Sequence, residues 1–272
     1  MKKLLLLFFV LALRPQPKEL AWTALGDSIT YLNDHRNETG NRITKGYMTL
    51  VTERLPNLHF INQGHNGWTV VRIAKEIDQL GLEKSDVYTV FLGTNDWWHE
   101  EPLGTLQDYT NQTGNKTVCG SYRMIINKLR SLNKDAQIIL ITPMQRSDFV
   151  YINNAHNNAW GSYKDKAGQS LSRFAAAIKE IGKKEHFTVI DLYNTKPLSV
   201  EHLVKFKRLK DPQTGNYKNF PYPAYTTIPF NPDLDEYPYP VEAIDMTYDG
   251  LHPSDKGYEV IADALVKVMK KL

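Results

Sequence analysis

Short apolar runs alternate with longer amphipathic stretches over most of the chain. Each run is five or six residues long and contains β-branched or aromatic residues, which is typical of strands rather than of buried helices. The runs do not alternate apolar with polar positions, and this favours strands that are covered on both faces. The five predicted strands are 21–25, 58–62, 87–92, 137–142 and 187–191.

The amphipathic stretches between the runs have the spacing of surface helices. The predicted helices are 45–55, 69–80, 121–132, 170–184 and a last one that follows Pro253, with Ser254 as its N-cap. In 121–132 one stripe holds Tyr122, Ile125, Ile126, Leu129 and Leu132. This alternation of strands and helices predicts an α/β fold with a doubly wound parallel sheet, formed by a single domain over 21–272.

Two stretches break the alternation. Segment 143–168 is polar and rich in turn residues, and segment 206–243 is dense in proline and tyrosine. Loops of this length in a compact domain are usually functional or disordered, and the many aromatic residues disfavour disorder. We therefore expect them to be ordered, aromatic-rich insertions near the functional site, as a lid or as a rim.

The N-terminus has the pattern of a secretory signal. Two lysines precede an apolar run from Leu4 to Leu13, and Arg14 follows it. The run is too short to span a bilayer, but it suits the core of a signal peptide. Residues 1–20 are thus predicted to be a leader with a weak cleavage site that directs export, to the periplasm or beyond. A core strand at the N-terminus is the alternative.

Charge and cysteine content exclude several classes of partner. The 33 basic and 30 acidic residues leave a net charge of +3, which gives no reason to expect nucleic acid or an anionic membrane surface as a partner. Cys119 is the single cysteine, so neither an intramolecular disulfide nor a cysteine-cluster metal site is possible. Stable membrane insertion is not expected, and the oligomeric state stays open.

Reactive or conformationally special residues follow three predicted strands and precede the last helix. The motifs are "GDS" (26–28), "NQGHNG" (62–67), "GTND" (93–96) and "DGLHP" (249–253). Ligands of open parallel sheets bind beyond the carboxyl ends of the strands. These motifs are therefore predicted to meet at one edge.

Together the motifs provide what acyl transfer from an ester requires. Ser28 is a weak nucleophile until a base takes its proton, and His252 is the candidate base. Asp249, three residues earlier, is placed to fix the imidazole tautomer. The N–H groups of Ser28 and Gly64 and the amide of Asn95 are the candidate donors for the oxyanion.

In combination, "GDSIT", "NQGHNG", "GTND" and "DGLHP" resemble the four sequence blocks of the SGNH hydrolases, also called the GDSL esterase/lipase family. The resemblance implies a flavodoxin-like three-layer α/β/α sandwich with a five-stranded parallel sheet. It also implies that Ser28, Gly64, Asn95 and His252 are the name-giving residues, with Asp249 completing the triad. Ile29 stands where the family often has leucine.

Residues that flank these motifs have both a functional and a structural interpretation. Trp97 and Trp98 directly follow the "GTND" motif that contains Asn95, so at least one should border the cleft. His65 is a further candidate substrate contact. All three could instead only pack against neighbouring loops. Asp27 and Asp96 are expected to brace their loops.

The sequence therefore predicts an exported serine esterase that needs no metal or organic cofactor and removes a small acyl group, acetyl, from a carbohydrate. A lipase or lysophospholipase would share the same chemistry. A non-catalytic glycan-binding protein is a further alternative, although a binding protein has no need of an activated serine. A phosphate-binding role is disfavoured because "GDSIT" lacks the lysine of a phosphate-binding loop.

Overall fold

The computed structural model describes residues 18–272. The predicted leader lies outside the described residues except for its last three positions. Leu20 is buried and pairs with Leu58 in the sheet. The first strand thus begins one residue inside the segment that the sequence assigned to the leader.

Strands and helices alternate through the described part of the chain. The strands are β1 (Leu20–Gly26), β2 (Leu58–Gly64), β3 (Val87–Phe91), β4 (Gln137–Ile141), β5 (Phe149–Tyr151), β6 (Asn154–Ala159), β7 (Thr188–Ile190), β8 (Lys207–Lys210) and β9 (Tyr217–Phe220). The helices are α1 (Ser28–Tyr31), α2 (Tyr47–Arg54), α3 (Val70–Glu76), α4 (Thr94–Trp98), α5 (Leu106–Thr110), α6 (Val118–Leu132), α7 (Leu171–Glu185) and α8 (Asp255–Met269). Among residues 18–272 no helix combines the length and the apolar character of a membrane span.

Five strands form the central sheet in the order β2-β1-β3-β4-β7, and every neighbouring pair is parallel. The predicted α/β class and the five-stranded parallel sheet are confirmed. Because β1 lies between β2 and β3, the strand order reverses beside β1. This reversal opens a crevice at the carboxyl end of β1, the usual place for a ligand in such sheets.

Each face of the sheet has its own apolar core. Trp22 and Ala24 of β1 contribute to one core, which α2 and α8 cover, whereas Leu25 contributes to the other, which α3, α6 and α7 cover. The strands therefore bury side chains on both faces, which explains their continuous apolar runs. Ser254 caps α8 as predicted, by accepting the Gly257 N–H.

Both insertions are ordered and contain β-hairpins. Segment 143–168 holds the antiparallel pair β5–β6, and segment 206–243 holds the pair β8–β9. The two segments share a small apolar core that includes Val150, Leu209 and Tyr239. The sequence pattern did not predict the hairpins, because β6 is mostly polar and gives no apolar run.

Asp148 joins the two insertions. Its Oδ2 accepts a hydrogen bond from Lys207 Nζ at 2.9 Å, and the Lys207 side chain is only 2% exposed. Its Oδ1 accepts from the Gly161 N–H at 2.8 Å and from the Tyr163 hydroxyl. The Asp148 carbonyl accepts from the hydroxyl of Tyr239. A single acid, whose side chain is 13% exposed, thus connects both segments.

We expect the Asp148→Ala variant to lose about 3–5 kcal/mol of unfolding free energy, because it leaves the Lys207 ammonium buried without its partner. Urea unfolding measures this loss. Glu53→Ala is the control, since it breaks the half-exposed Lys45–Glu53 pair and should cost less than about 1 kcal/mol. Equal losses in the two variants would contradict the role assigned to Asp148.

Candidate active site

Ser28 is the first residue of α1, directly beyond the carboxyl end of β1. Asp27 caps this short helix, and its Oδ1 accepts the Ile29 N–H at 3.0 Å. Gly26 permits the sharp turn, because a Cβ at this position would lie 2.0 Å from Thr30 Oγ1. The turn leaves the Ser28 side chain at the edge where the sheet order reverses.

The structure brings Ser28, His252 and Asp249 into one hydrogen-bonded chain. Ser28 Oγ lies 2.8 Å from His252 Nε2, and His252 Nδ1 lies 2.7 Å from Asp249 Oδ2. Ser28 and His252 are 224 positions apart in the sequence. In this arrangement Nδ1–H donates to Asp249, and Nε2 is free to accept the proton of Ser28.

The Asp249 carboxylate is fully buried and receives three N–H groups. Besides the His252 ring, the backbone N–H groups of Leu251 and His252 donate to its Oδ1 at 3.0 and 2.8 Å. Gly250 adopts φ +90°, and a Cβ there would lie 1.9 Å from the carbonyl oxygen of Asp148. This position therefore requires glycine.

Segment 143–168 holds the loop that carries the acid and the base. The Ser147 N–H donates to the Gly250 carbonyl at 2.8 Å, and the Val150 N–H donates to the Asp249 carbonyl at 3.2 Å. Phe149 meets the His252 ring edge to face, with ring centroids 5.4 Å apart. The insertion is thus part of the site rather than a separate appendage.

Asn95 lies in α4, after β3, and borders the same cavity as Ser28. Its Nδ2 donates to the carbonyl of Trp68 at 3.0 Å. An amide nitrogen carries two N–H groups, so a second one is left for an oxyanion. Asn95 therefore both fixes the loop after β2 and remains a candidate oxyanion donor.

The structure does not place Gly64 in the oxyanion site, and this part of the sequence prediction is wrong. The Gly64 N–H already donates to Asn62 Oδ1 at 2.9 Å, and a Cβ at Gly64 would lie 2.1 Å from the Tyr31 backbone nitrogen. Gly64 thus packs against α1. Gly67, three residues later in the same motif, borders the cavity with Ser28. Within residues 18–272 its N–H has no hydrogen-bond acceptor, which makes it the better candidate donor.

The flanking aromatic residues divide between cavity and core. Trp98 lines the cavity, whereas Trp97 is fully buried and its Nε1–H donates to the carbonyl of Gln169 at 2.9 Å. His65 stacks on Trp68, with ring centroids 4.4 Å apart, and does not line the cavity. The structural interpretation therefore holds for Trp97 and His65, and the cleft interpretation for Trp98.

Two further acids beside the site are buried. Burial raises the pKa of Asp27 to about 6, although the Ile29 N–H acts in the opposite direction. Burial also raises the pKa of Asp96 to about 7. Both oxygens of Asp96 accept the Val70 N–H, at 2.9 and 3.0 Å, so Asp96 braces the start of α3 just after the Gly67 loop.

The cavity at this edge has a volume of about 350 Å³. Its walls combine the catalytic residues with polar and aromatic side chains that the sequence analysis did not single out. These additional residues include Glu38, Asn66, Arg146, Phe149, Asn157 and Tyr248. Arg146 could have been found by applying the strand-end rule to β4, which it follows by five positions.

Known proteins resemble this chain in sequence and in fold. The sequence pattern of the GDSL-like lipase/acylhydrolase family matches residues 24–260. The crystal structure of a possible lipase from Chitinophaga pinensis is 60% identical, with a TM-score of 0.92, over 93% of this chain and 98% of that one. The chain belongs to the GDSL-like lipase/acylhydrolase family.

More distant structures share the fold of this acylhydrolase. An acetyl xylan esterase is 19% identical with a TM-score of 0.54, over 91% of this chain and 98% of that one. An acetyl-xylooligosaccharide esterase from a Geobacillus species was solved as a tryptophan-to-isoleucine mutant. It is 17% identical with a TM-score of 0.51, over 92% of this chain and 94% of that one. A search of functionally curated proteins gave no match. Membership in this family makes the protein a hydrolase of ester bonds.

We expect Asp249→Asn to lower kcat of this acylhydrolase by roughly 10³–10⁴-fold. The amide N–H₂ would face Nδ1, so the imidazole would carry its proton on Nε2 and could no longer accept one from Ser28. Steady-state hydrolysis of p-nitrophenyl acetate measures the effect. The control is Asp245→Asn, in the same segment, where the carboxylate pairs with Lys256 instead. A loss of the same size in the control would contradict the assignment.

The raised pKa of Asp96 predicts that the difference in stability between wild type and the Asp96→Asn variant depends on pH. Between 3.8, the ordinary value, and about 7, the folded protein retains a proton that the unfolded chain has released, so this carboxyl contributes less stability as the pH rises. The amide of the Asp96→Asn variant would not titrate. The unfolding temperature of this variant relative to wild type should therefore increase between about pH 5 and about pH 8.

The exposed Asp135→Asn variant is the control for this effect, and its difference from wild type should stay constant with pH. A constant difference for Asp96→Asn as well would show that Asp96 does not titrate with a raised pKa in the folded protein.

Proposed function

We propose that this acylhydrolase is a serine esterase that removes a small acyl group, acetyl, from a carbohydrate. The observation that carries the proposal is the contact of 2.8 Å between Ser28 Oγ and His252 Nε2, with Asp249 behind the imidazole. A hydroxyl in this position loses its proton to the base as it attacks a carbonyl carbon. A binding protein would gain nothing from this arrangement.

In the first half-reaction Ser28 Oγ attacks the ester carbonyl while its proton passes to His252 Nε2. The negative charge that develops on the carbonyl oxygen is stabilised by the N–H groups of Ser28 and Gly67 and by the Asn95 amide. Each such donor is worth about 10²–10³-fold in rate. Asp249 stabilises the imidazolium that forms meanwhile.

The tetrahedral intermediate then collapses and the carbon–oxygen bond to the alcohol breaks. The imidazolium gives its proton to the leaving alkoxide, and the acyl group stays on Ser28. In the second half-reaction His252 takes a proton from water, which attacks the acyl carbon. The acid leaves and Ser28 regains its proton, so the enzyme is restored.

The size and the lining of the cavity favour a substrate with a small acyl group and a sugar. Its volume of about 350 Å³ is near the lower end of ligand-binding cavities, roughly 300–1,000 Å³. Its walls offer hydrogen-bonding groups on Glu38, Asn66 and Asn157 and aromatic surface on Trp98 and Tyr151. Such a mixture suits the hydroxyl groups and the apolar ring faces of a sugar better than a long alkyl chain.

A lipase is the second candidate, because the 60% identical Chitinophaga protein is described as a possible lipase. Leu32, Phe149 and Leu251 give the cavity an apolar part that an alkyl chain could contact. The two distant esterases act on acetylated xylan or its oligosaccharides, according to their names. The length of the acyl chain that the enzyme prefers distinguishes the esterase proposal from the lipase proposal.

We expect kcat/KM for p-nitrophenyl esters to be highest at two to four carbons and to fall toward twelve carbons. Ser28→Ala should lower the rate by at least about 10⁴-fold while the protein stays folded. Ser131→Ala, at an exposed position on α6, is the matched control and should behave as wild type. Rates that rise beyond eight carbons would favour the lipase, and activity that survives in Ser28→Ala would refute the serine mechanism.

A further inference from the structure

Arg146 is a buried cation in the wall of the catalytic cavity. It follows β4 and lines the cavity together with Ser28 and His252, yet it is only 1% exposed. Among residues 18–272 no carboxylate forms an ion pair with its guanidinium and no acceptor receives a hydrogen bond from it. Its Nε is buried without a partner. Arg146 has no role in the proposed mechanism.

Two other cations with little exposed surface are paired with acids. Lys207 is buried against Asp148 at 2.9 Å, and Arg123 lies 3.0 Å from Glu185. A buried cation without a partner is costly, because it loses its hydration and gains no compensating contact. Arg146 is thus the exception among these residues, and it faces the place where substrate binds.

Two indole rings support the Arg146 guanidinium. Its central carbon lies 5.5 Å from the ring centroid of Trp97 and 5.6 Å from that of Trp98. Cation–π contacts of this kind stabilise a desolvated cation without using its N–H donors. Burial lowers the pKa of Arg146 to about 10, so the group stays charged at neutral pH. The hydrogen-bonding capacity of the guanidinium is therefore available to a molecule in the cavity.

The acidic side chains around the cavity are already engaged by other donors. Glu38 also lines the cavity, but its Oε1 accepts the Tyr31 hydroxyl at 2.8 Å and its Oε2 accepts Asn66 Nδ2 at 3.1 Å. Asp249 is engaged by its three N–H donors, and Asp27 caps α1. Asp249, Asp148 and Asp27 attract the guanidinium through space. Each of these acids is already held by other donors, so within residues 18–272 no carboxylate contacts the guanidinium directly.

We propose that Arg146 binds a carboxylate of the substrate, so that the natural ester is an acylated acidic sugar whose acid group lies close to the scissile bond. The proposal rests on the proposed function. The planar guanidinium fork matches a carboxylate in geometry as well as in charge, and a charge-assisted pair in a secluded cavity is strong. The carboxylate supplies the direct hydrogen-bonding partner that the guanidinium lacks within residues 18–272.

The test compares acetate release from three matched esters: an acetylated methyl glucuronoside, its neutral uronate methyl ester and the corresponding acetylated methyl glucoside. We expect wild type to favour the acid in kcat/KM by about tenfold to a hundredfold, mainly through KM. Arg146→Gln should abolish this preference, and Arg146→Lys should retain part of it. Arg173→Gln, an exposed cation on α7, should leave the preference unchanged.

Inhibition provides a second measurement that does not depend on turnover of a sugar ester. Free methyl glucuronoside should inhibit p-nitrophenyl acetate hydrolysis by wild type more strongly than methyl glucoside does, and Arg146→Gln should remove the difference. The comparison of the two inhibitors on wild type tests the proposal even if the Arg146→Gln variant does not fold. A phosphorylated glucoside in the same assay reveals whether a different oxyanion is preferred, which would overturn the assignment to a carboxylate.

The proposal is overturned if wild type neither prefers the acidic ester nor is inhibited by the free acid. It is also overturned if Arg146→Gln loses the same factor on the acidic and the neutral esters, since that result indicates a positioning role. Both outcomes leave the esterase proposal intact, because p-nitrophenyl acetate is still hydrolysed through Ser28. Failure of wild type to hydrolyse p-nitrophenyl acetate would instead count against the proposed function.

Discussion

The hydrogen bond from His252 to the Asp249 carboxylate is the contact on which the rest of the site depends. The carboxylate has no exposed surface and receives three N–H groups, so its position is fixed before substrate arrives. The bond fixes the tautomer of the imidazole, and the tautomer decides whether Ser28 can lose its proton. The parallel sheet contributes the other half of the constraint, because β1 ends where the strand order reverses and so delivers Ser28 to the same edge.

The insertion at 143–168 connects the walls of the cavity to this catalytic contact. Ser147 and Val150 hold the backbone around Asp249 and Gly250, while Phe149 lies against the His252 ring. The same short segment carries Arg146 into the cavity. One segment thus both positions the base and lines the substrate cavity. Substitutions in this insertion that alter substrate preference therefore also affect the geometry of the triad.

Sequence patterns predicted the strands of the central sheet to within one or two residues, because buried parallel strands appear as continuous apolar runs. They also predicted the edge at which Ser28, His252 and Asp249 meet. Helices α1, α4 and α5 escaped prediction, since four or five residues are too few to show a helical period. The choice of Gly64 over Gly67 failed because motif spacing does not reveal which backbone N–H is already bonded, here by Asn62. The isolation of Arg146 depends on contacts that no local pattern encodes.

The most direct test of this account is phosphorylation by paraoxon, with the modified peptide identified by mass spectrometry. The reagent requires an activated nucleophile but no particular sugar or acyl chain, so it reports on the triad alone. The account predicts one diethylphosphoryl group on Ser28 in wild type and none after the same time in His252→Gln. Equal labelling of Ser28 without His252, or labelling of another residue while Ser28 stays unmodified, would contradict it.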